Sequence, residues 1–513
     1  MAAPARGSGE EVEFKAGVDA GTLEALRARV AGDVGELKAQ RLLSVYYDAP
    51  DLRLAAKGLF LRLRRQNGHW EQTVKAGRRA RLGLQRVTED TVALPGPQPS
   101  PERIVDGALR DLLLRALGSA SLEECCRSEI QRRSCLLADP RGTVELALDA
   151  GRMVAAGRSE PVCEVEIECV SGSDQLAYAR ARDLLGGHAA QLLQPSKAQR
   201  GFALARGAAL PPPSPQRSAP QAMAGDASAG QLFAAQLAQL ARAVACNLYC
   251  VLRSGDLEGP HQLRVALRRL RVLLRGFAPG LRRRPLRGLE RRARDLGRLA
   301  SPLRDADALI EDLLRPRLTG EADAAALIGA LEKQREDIRA RGREDLLAAA
   351  ATGFAIELLA LADLGSWRPQ GRRRRALLEC PPVMALAPAL EARWQRAKKR
   401  GRNLASLSPS QRHRLRKDLK QLRYLAELAA APGNLPGAER FLKRLAKLQR
   451  DLGFLNDLAV LEALQLPTED ARALAALERV SDAFAGGGGG SRDRALRRAA
   501  RHWRKLAAQG RFW

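Results

Sequence analysis

The sequence predicts an α+β protein in two parts: a closed β-barrel with a polar lumen, then an all-α region built from two related halves. Three observations carry this. Strict apolar/charged alternation recurs in short stretches between residues 11 and 170, helical periodicity takes over after residue 231, and a basic helical pattern returns 152 residues after its first occurrence. The chain of 513 residues has room for about three or four units of ordinary size.

The first alternating stretch is Glu11-Val12-Glu13-Phe14-Lys15, which puts Glu11, Glu13 and Lys15 on one face of a strand and Val12 and Phe14 on the other. Residues 19–30 then read as a short helix. In Gly58 to Gln66, Arg62 and Arg64 share a face opposite Leu61 and Leu63, and Glu71, Thr73 and Lys75 alternate with Gln72 and Val74. Strands run to about Leu94, a Pro-rich turn spans Pro95 to Pro101, and a helix is expected near Glu102 to Leu117. Further strands cover Ile130 to Val170. There Glu145 and Asp149 share one face, and Glu164, Glu166 and Glu168 another, opposite Val165, Ile167 and Cys169. Ser173 to Leu185 has helical spacing, and Gln191 to Leu204 is expected to hold the last strand elements.

One sheet with its charges turned to water would explain any single strand. Acidic and basic strands repeated within one unit suit a barrel with a polar lumen better. Such a lumen offers carboxylates, which bind hard divalent cations through oxygen, and Arg and Lys, which clamp phosphoryl oxygens. That chemistry fits a multiply charged phosphate chain with its metals.

Gly207 to Gln231 is rich in Pro, Ala, Gly and Ser and reads as a semi-rigid linker. Leu232, Leu237, Leu240 and Val244 open a helix, and the next carries His261, Arg264, Arg268 and Arg271. At about 100° per residue these four fall within an arc of about 80°, a single cationic stripe. His413, Arg416, Lys420 and Arg423 repeat it 152 residues later, and Leu455-Asn456-Asp457 repeats Leu303-Arg304-Asp305 at the same offset. Crowding like charges costs repulsion energy, so a stripe present twice asks for an anion. Arg372 to Arg375 is expected in an exposed loop, and Gly486 to Gly490 as a flexible break before a basic helix over 492–508.

Charge follows the same division. Residues 1–206 hold 30 Lys and Arg against 27 Asp and Glu, whereas the remainder holds 56 against 31 out of a total net charge of +28. The helical region therefore faces a polyanion. No apolar run approaches a membrane span, and the eight cysteines lack paired zinc spacing. A cytoplasmic protein with reduced thiols and no membrane partner is expected. The stripe lacks interleaved aromatics, which disfavours nucleic acid, and the Arg-rich surroundings of His261 and His413 disfavour a metal there.

These residues also carry a resemblance. Glu11-x-Glu13-x-Lys15, the segment Tyr46 to Leu54 leading to Arg62-x-Arg64, Lys75, Glu145 to Asp149, Glu164-x-Glu166-x-Glu168 and Ser196-Lys197-Ala-Gln-Arg200-Gly201 resemble, in order, the CYTH family of triphosphate tunnel metalloenzymes over residues 8–206. The resemblance implies an antiparallel eight-stranded β-tunnel and a bacterial, inorganic-triphosphatase-like activity assisted by Mg²⁺ or Mn²⁺. It assigns Glu11, Glu13 and Lys15 to catalysis and Glu11, Glu13, Glu145, Asp149, Glu164, Glu166 and Glu168 to the metal. Lys15, Arg62, Arg64, Lys75, Arg132 and Lys197 are assigned to the triphosphate. Relatives often show Arg-x-Glu on a middle strand, where this chain has Arg86-Val87-Thr88-Glu89, an offset that would turn Glu89 to the other face.

Residues 232–513, with halves at about 232–365 and 380–513, resemble the CHAD family of helical domains that bind inorganic polyphosphate. His261, Arg264, Arg268, Arg271, His413, Arg416, Lys420 and Arg423 match its pattern, with Lys398 and Arg402 as further candidates. The expected function is metal-dependent hydrolysis of inorganic triphosphate beside a polyphosphate-binding module. Metals rather than a histidine base are expected to carry the chemistry, since His69 and His188 do not fall on tunnel-facing positions. The alternatives are hydrolysis of thiamine triphosphate or a nucleotide, cyclisation of ATP, and non-catalytic polyphosphate binding.

Overall fold

The computed structural model describes residues 9–66, 68–80, 84–192, 195–208, 214–286, 288–318, 323–433, 435–466, 468–485 and 490–513. The chain forms two compact units, one comprising 1–214, 248–254 and 350–364 and the other 215–247, 255–349 and 365–513.

The first unit is built on eight strands: β1 (Gly9–Gly17), β2 (Lys38–Asp48), β3 (Phe60–Gln66), β4 (His69–Ala80), β5 (Leu84–Leu94), β6 (Glu123–Asp139), β7 (Gly142–Ala155) and β8 (Arg158–Gly172). Every neighbouring pair is antiparallel, and the order β1-β5-β4-β3-β2-β6-β7-β8 closes on itself through β1 and β8. Closure leaves no edge strand to cap. It also sets β3 diametrically across the barrel from β8, four places away in either direction around the ring.

Alternation decides what faces outward. Leu61, Val74 and Ala76 leave the barrel to pack on Leu109, Leu113 and Ala116 of the helix Gly107–Leu117. That helix is shorter than expected from Glu102, because Asp106 caps it by accepting from the Leu109 N–H at 3.0 Å. The turn after β2 is organised by Asp48, fully buried, whose carboxylate accepts from the backbone N–H groups of Ala49, Leu54 and Ala55 at 2.7, 2.9 and 2.8 Å.

Residues 197–205 depart from expectation: they form a helix, Lys197–Ala205, and Gln191 contributes only an isolated bridge to Gly17. The reason is local. Ser196 and Gln199 make a reciprocal capping box, which satisfies the free backbone N–H groups of a helix start in the stretch expected to hold the last strand elements. Phe202 of this helix packs 5.9 Å from Phe60 and 6.5 Å from Tyr46, ring to ring.

A helix from late in the chain, Ala351–Leu364, belongs to this unit as well. It packs on the helix Gln175–Leu185: the Tyr178 hydroxyl donates to Asp363 at 2.6 Å, and the Thr352 hydroxyl to the His188 carbonyl at 2.6 Å. Tyr178 in turn stacks edge-on against Phe14, 5.8 Å between centroids, on the outer side of β1.

The second unit is helical. Leu263, Leu267, Leu270 and Leu273 are buried on the helix Glu258–Phe277, and Leu415, Leu419, Leu422 and Leu425 are buried at the same offset of 152 on Pro409–Ala429. The apolar faces therefore repeat together with the charged ones. The next helix is broken in the first half, Leu289–Leu299 and then Ser301–Asp307 with Pro302 at its start, but continuous in the second, Ala438–Glu462. Arg372 to Arg375 are exposed as expected, yet they begin a helix, Arg372–Glu379, rather than lying in a loop. Residues 486–489 of the expected flexible break lie outside the described residues, and the final helix is Gly490–Ala507.

Candidate functional site

The barrel encloses a cavity of about 430 Å³. Glu13, Lys15, Arg62, Arg64, Lys75, Arg132, Glu145, Glu166, Glu168 and Lys197 all line it. The side chain of Glu11 lies outside the described residues. Asp149 and Glu164 do not reach the cavity surface; both are fully buried at its base.

Register explains the arrangement. Glu13 of β1 pairs with Glu168 of β8, and Glu168 pairs on its other side with Glu145 of β7, so three carboxylates occupy one rung across adjacent strands. The next rung carries Lys15 and Glu166. Across the lumen, Arg62 and Arg64 project from β3 and Lys75 from β4. One wall is thus acidic and the facing wall basic.

The basic wall is held in place by short polar links. Arg62 donates to the Thr73 hydroxyl at 3.1 Å, Thr73 donates to Thr91 at 3.1 Å, and Thr91 donates to Glu89 at 3.0 Å. Glu89 also pairs with Lys75 at 2.7 Å. Glu89 therefore faces the cavity, contrary to the expectation that the Arg86-to-Glu89 offset would turn it away; Lys75 pairs with Glu89 in the ladder, and the irregularity in β4 falls beyond Ala76. Arg64 donates to the Ser44 hydroxyl at 3.1 Å, and burial, then Arg62 and Arg132, push its guanidinium down to about 10.

At the base, Asp149, Glu164 and Glu166 bring carboxylate oxygens within 4.8 Å of one another. The Lys197 ammonium sits among them, 2.8 Å from Asp149, 2.5 Å from Glu164 and 2.7 Å from Glu166. Arg132 grips Asp149 with two bonds of 2.7 Å and reaches Glu166 at 2.5 Å, while Arg200 meets Glu164 at 3.0 Å and Glu160 at 2.6 Å. These buried charges satisfy one another. Burial alone would raise Glu166, but Lys15, Lys197 and Arg132 outweigh it and hold its carboxyl well below the usual range. Burial likewise opposes the charge on Lys15, and Glu13 and Glu166, at 3.2 and 2.9 Å, outweigh it and keep the amine protonated.

The donor set fits a hard divalent cation. Glu13, Glu145 and Glu168 present carboxylate oxygens to the cavity from one rung, the ligand type such a cation takes. Lys197 pairs with all of the Asp149, Glu164 and Glu166 trio, and Arg132 with Asp149 and Glu166. Arg200, quoted in the motif with Lys197, and Thr73, on the face of Glu71 and Lys75, were given no site role from the sequence; Arg200 lies three residues after Lys197 and so on the same helical face, a spacing that could have assigned it one.

The helical unit assembles a second cationic site. Arg264 donates to Asp305 at 2.6 Å and to the Ser301 carbonyl at 3.0 Å. Asp457, the counterpart of Asp305, acts electrostatically on Arg416, the counterpart of Arg264. His413 donates through Nδ1 to the Asn456 amide oxygen at 3.0 Å; burial and then Arg304 push its counterpart His261 below its ordinary value. Arg271 meets Glu290 at 3.4 Å, and Arg423 meets Glu427 at 2.7 Å, a carboxylate that also accepts from Arg269 at 2.8 Å. Arg268, Arg416 and Lys420, by contrast, make no hydrogen bond or ion pair among the described residues, and the buried Arg416 Nε–H has no partner. Arg268 acts electrostatically on both Arg416 and Lys420, so the two repeats bring their stripes together. Lys398 and Arg402 are exposed near the end of the helix Pro382–Gly401 and take no part in these bonds.

A family model for the CYTH domain matches residues 9–202, and one for the CHAD domain matches residues 231–466. An inorganic triphosphatase of Haemophilus influenzae is 27% identical over 162 residues, 31% of this chain and 45% of the relative. The chain therefore spans less than half the length of that relative. The solved CHAD domain of the plant Ricinus communis is 24% identical, covering 55% of this chain and 96% of its own with a TM-score of 0.44.

Proposed function

This chain carries a CYTH domain followed by a CHAD domain, and from that premise we propose that its barrel hydrolyses a triphosphate with a divalent cation, Mg²⁺ or Mn²⁺, and that its helical region binds inorganic polyphosphate. The observation that carries the first half is the facing of two walls in one cavity: Arg62, Arg64 and Lys75 across from Glu13, Glu145 and Glu168. In this reading Arg62, Arg64 and Lys75 hold the phosphoryl oxygens of the extended chain, with Arg62 oriented by Thr73. Glu13, Glu168 and Glu145, joined by Glu166 and Glu11, hold the cation. When bound there, a divalent cation supplies polarisation of phosphoryl oxygens and of the attacking water. Lys15, kept protonated, offsets charge on the phosphate rather than accepting a proton. Lys197, Arg132, Asp149 and Glu164 fix the position of Glu166 from below.

Inorganic tripolyphosphate is the favoured substrate. The Haemophilus influenzae relative is named an inorganic triphosphatase, and the cavity lining is dominated by charged groups. Polyphosphate binding is supported by the convergence of Arg264, Arg268, Arg416 and Lys420, of which Arg268, Arg416 and Lys420 have no hydrogen-bond or ion-pair partner among the described residues.

The test is phosphate release from tripolyphosphate, ATP, thiamine triphosphate and long-chain polyphosphate, with Mg²⁺ and with EDTA. Metal-dependent preference for tripolyphosphate is the expected result. Release from none of them, with long-chain polyphosphate still bound, would make the protein a binding factor; cyclic AMP from ATP would make it a cyclase.

A further inference from the structure

The basic wall of the barrel changes character along its length. On β4 the cavity-lining residues run Lys75, Thr73, Glu71, and on β3 they run Arg62, Arg64, Gln66. Register sets Arg62 beside Thr73 and Arg64 beside Glu71. At the Lys75 end, Phe60 stands opposite Lys75 in the ladder and packs on Phe202 of the helix Lys197–Ala205. At the other end the lining residue Lys38 is exposed, as are Leu136, opposite Glu145, and Val170, two residues beyond Glu168. That end is the mouth. A phosphate chain seated on Lys75, Arg62 and Arg64 that continues toward solvent therefore passes Glu71.

Glu71 differs from the other carboxylates of the lining. Glu13 and Glu166 pair with Lys15, and Glu89 pairs with Lys75. Glu71 makes no hydrogen bond or ion pair among the described residues. Arg64 is its neighbour across the ladder but donates to Ser44 of β2, on the far side of β3. Glu71 is half-buried, so water screens its charge only in part. Lys38, the outermost cation, is exposed to screening by solvent and salt. Gln66, past Arg64 on β3, carries no charge. The run of cations thus ends beside a carboxylate to which no cation is bound.

Such an acid opposes anions in proportion to how far they reach. Three phosphates can be met by Lys75, Arg62 and Arg64. Each further phosphate brings negative charge up to the Glu71 carboxylate in a poorly screened lumen. We propose that Glu71 determines the length of phosphate chain that the barrel accepts, by repelling a fourth phosphate at the mouth. Glu71 touches no part of a bound triphosphate in this arrangement; it discriminates against the longer competitor. This rests on the triphosphate-hydrolase reading of the barrel.

The experiment measures phosphate release by the full chain, Glu71→Gln and Glu71→Asp, from tripolyphosphate and from tetrapolyphosphate at one fixed concentration of free Mg²⁺. The parent should favour tripolyphosphate by about tenfold in kcat/KM, the effect of one poorly screened charge. Glu71→Gln should bring the two substrates within about twofold by raising the value for tetrapolyphosphate, chiefly through KM, while that for tripolyphosphate stays as in the parent. Glu71→Asp, which keeps the charge, should keep the preference. A merely structural role would lower both substrates together and leave their ratio alone. An unchanged ratio in Glu71→Gln, or loss of both activities in it, would overturn the length selection while the hydrolase reading stands on the parent's activity. No release from either substrate by the parent would overturn that reading and the selection with it.

Discussion

Glu168 of β8 stands directly opposite Glu13 of β1, and on its other side opposite Glu145 of β7. Carboxylates directly opposite one another on neighbouring strands offer a divalent cation several oxygen ligands at once. Glu168→Gln should therefore diminish the upward shift of the thermal midpoint that Mg²⁺ gives the parent chain. Thermal unfolding with and without Mg²⁺ measures it; an undiminished Mg²⁺ shift would move the cation away from this rung.

Lys197 balances three buried carboxylates. Its removal takes away the one cation that pairs with all three, leaving Arg132, Arg200 and Lys15 to share them, and breaking a buried ion pair costs about 3–5 kcal/mol. Lys197→Met should lose stability on that scale in urea unfolding. A loss below about 1 kcal/mol would mean that water or the arginines take over its role.

The acids at the base predict how the barrel responds to acid. Burial acts to raise Asp149 and Glu166, yet Lys197 with Arg132 for the first, and Lys15, Lys197 and Arg132 for the second, hold both below their ordinary values of 3.8 and 4.5. The folded state thus binds these protons less tightly than the unfolded chain. The stability they add is complete above the ordinary carboxylate range and is lost as pH falls through it toward the folded-state values. Urea midpoints should be level from about pH 7 to pH 5.5 and fall steeply below about pH 4. In Glu166→Gln the fall should be shallower; an identical profile would place the acid-sensitive groups elsewhere.

Arg268 and Arg416 enter no ion pair among the described residues, so a polyanion gains their charge without displacing one of these as a partner. Arg268→Ala with Arg416→Ala should weaken polyphosphate binding and flatten the salt dependence of log K by about 1.4–1.8, two contacts' worth. Titrations across a range of salt concentrations measure the slope, and an unchanged slope would remove both residues from the contact.

What the sequence settled was local. The faces of Glu13 and Lys15, of Arg62 and Arg64, and of Glu164 to Glu168 follow from a period of two, and the stripes of Arg264 and Arg416 from a period of 3.6. The offset of 152 was legible because both faces of the helix repeat, with Leu263 and Leu415 inward and Arg264 and Arg416 toward the charge cluster. Where a local signal was passed over, the reading failed: Gln191 to Leu204 was expected to hold strand elements, and the capping box of Ser196 with Gln199 starts a helix there. The tertiary structure alone decided which faces meet. Barrel closure sets Glu168 against Glu13 and the β3 arginines across from both, and it puts Lys197 inside the trio of Asp149, Glu164 and Glu166. The helix Ala351–Leu364 was plainly apolar, but only packing shows that it covers Tyr178 behind β1. Periodicity fixes a side chain relative to its own strand or helix; its partner is fixed by the register, the order of strands and the balance of buried charge, which no short stretch encodes.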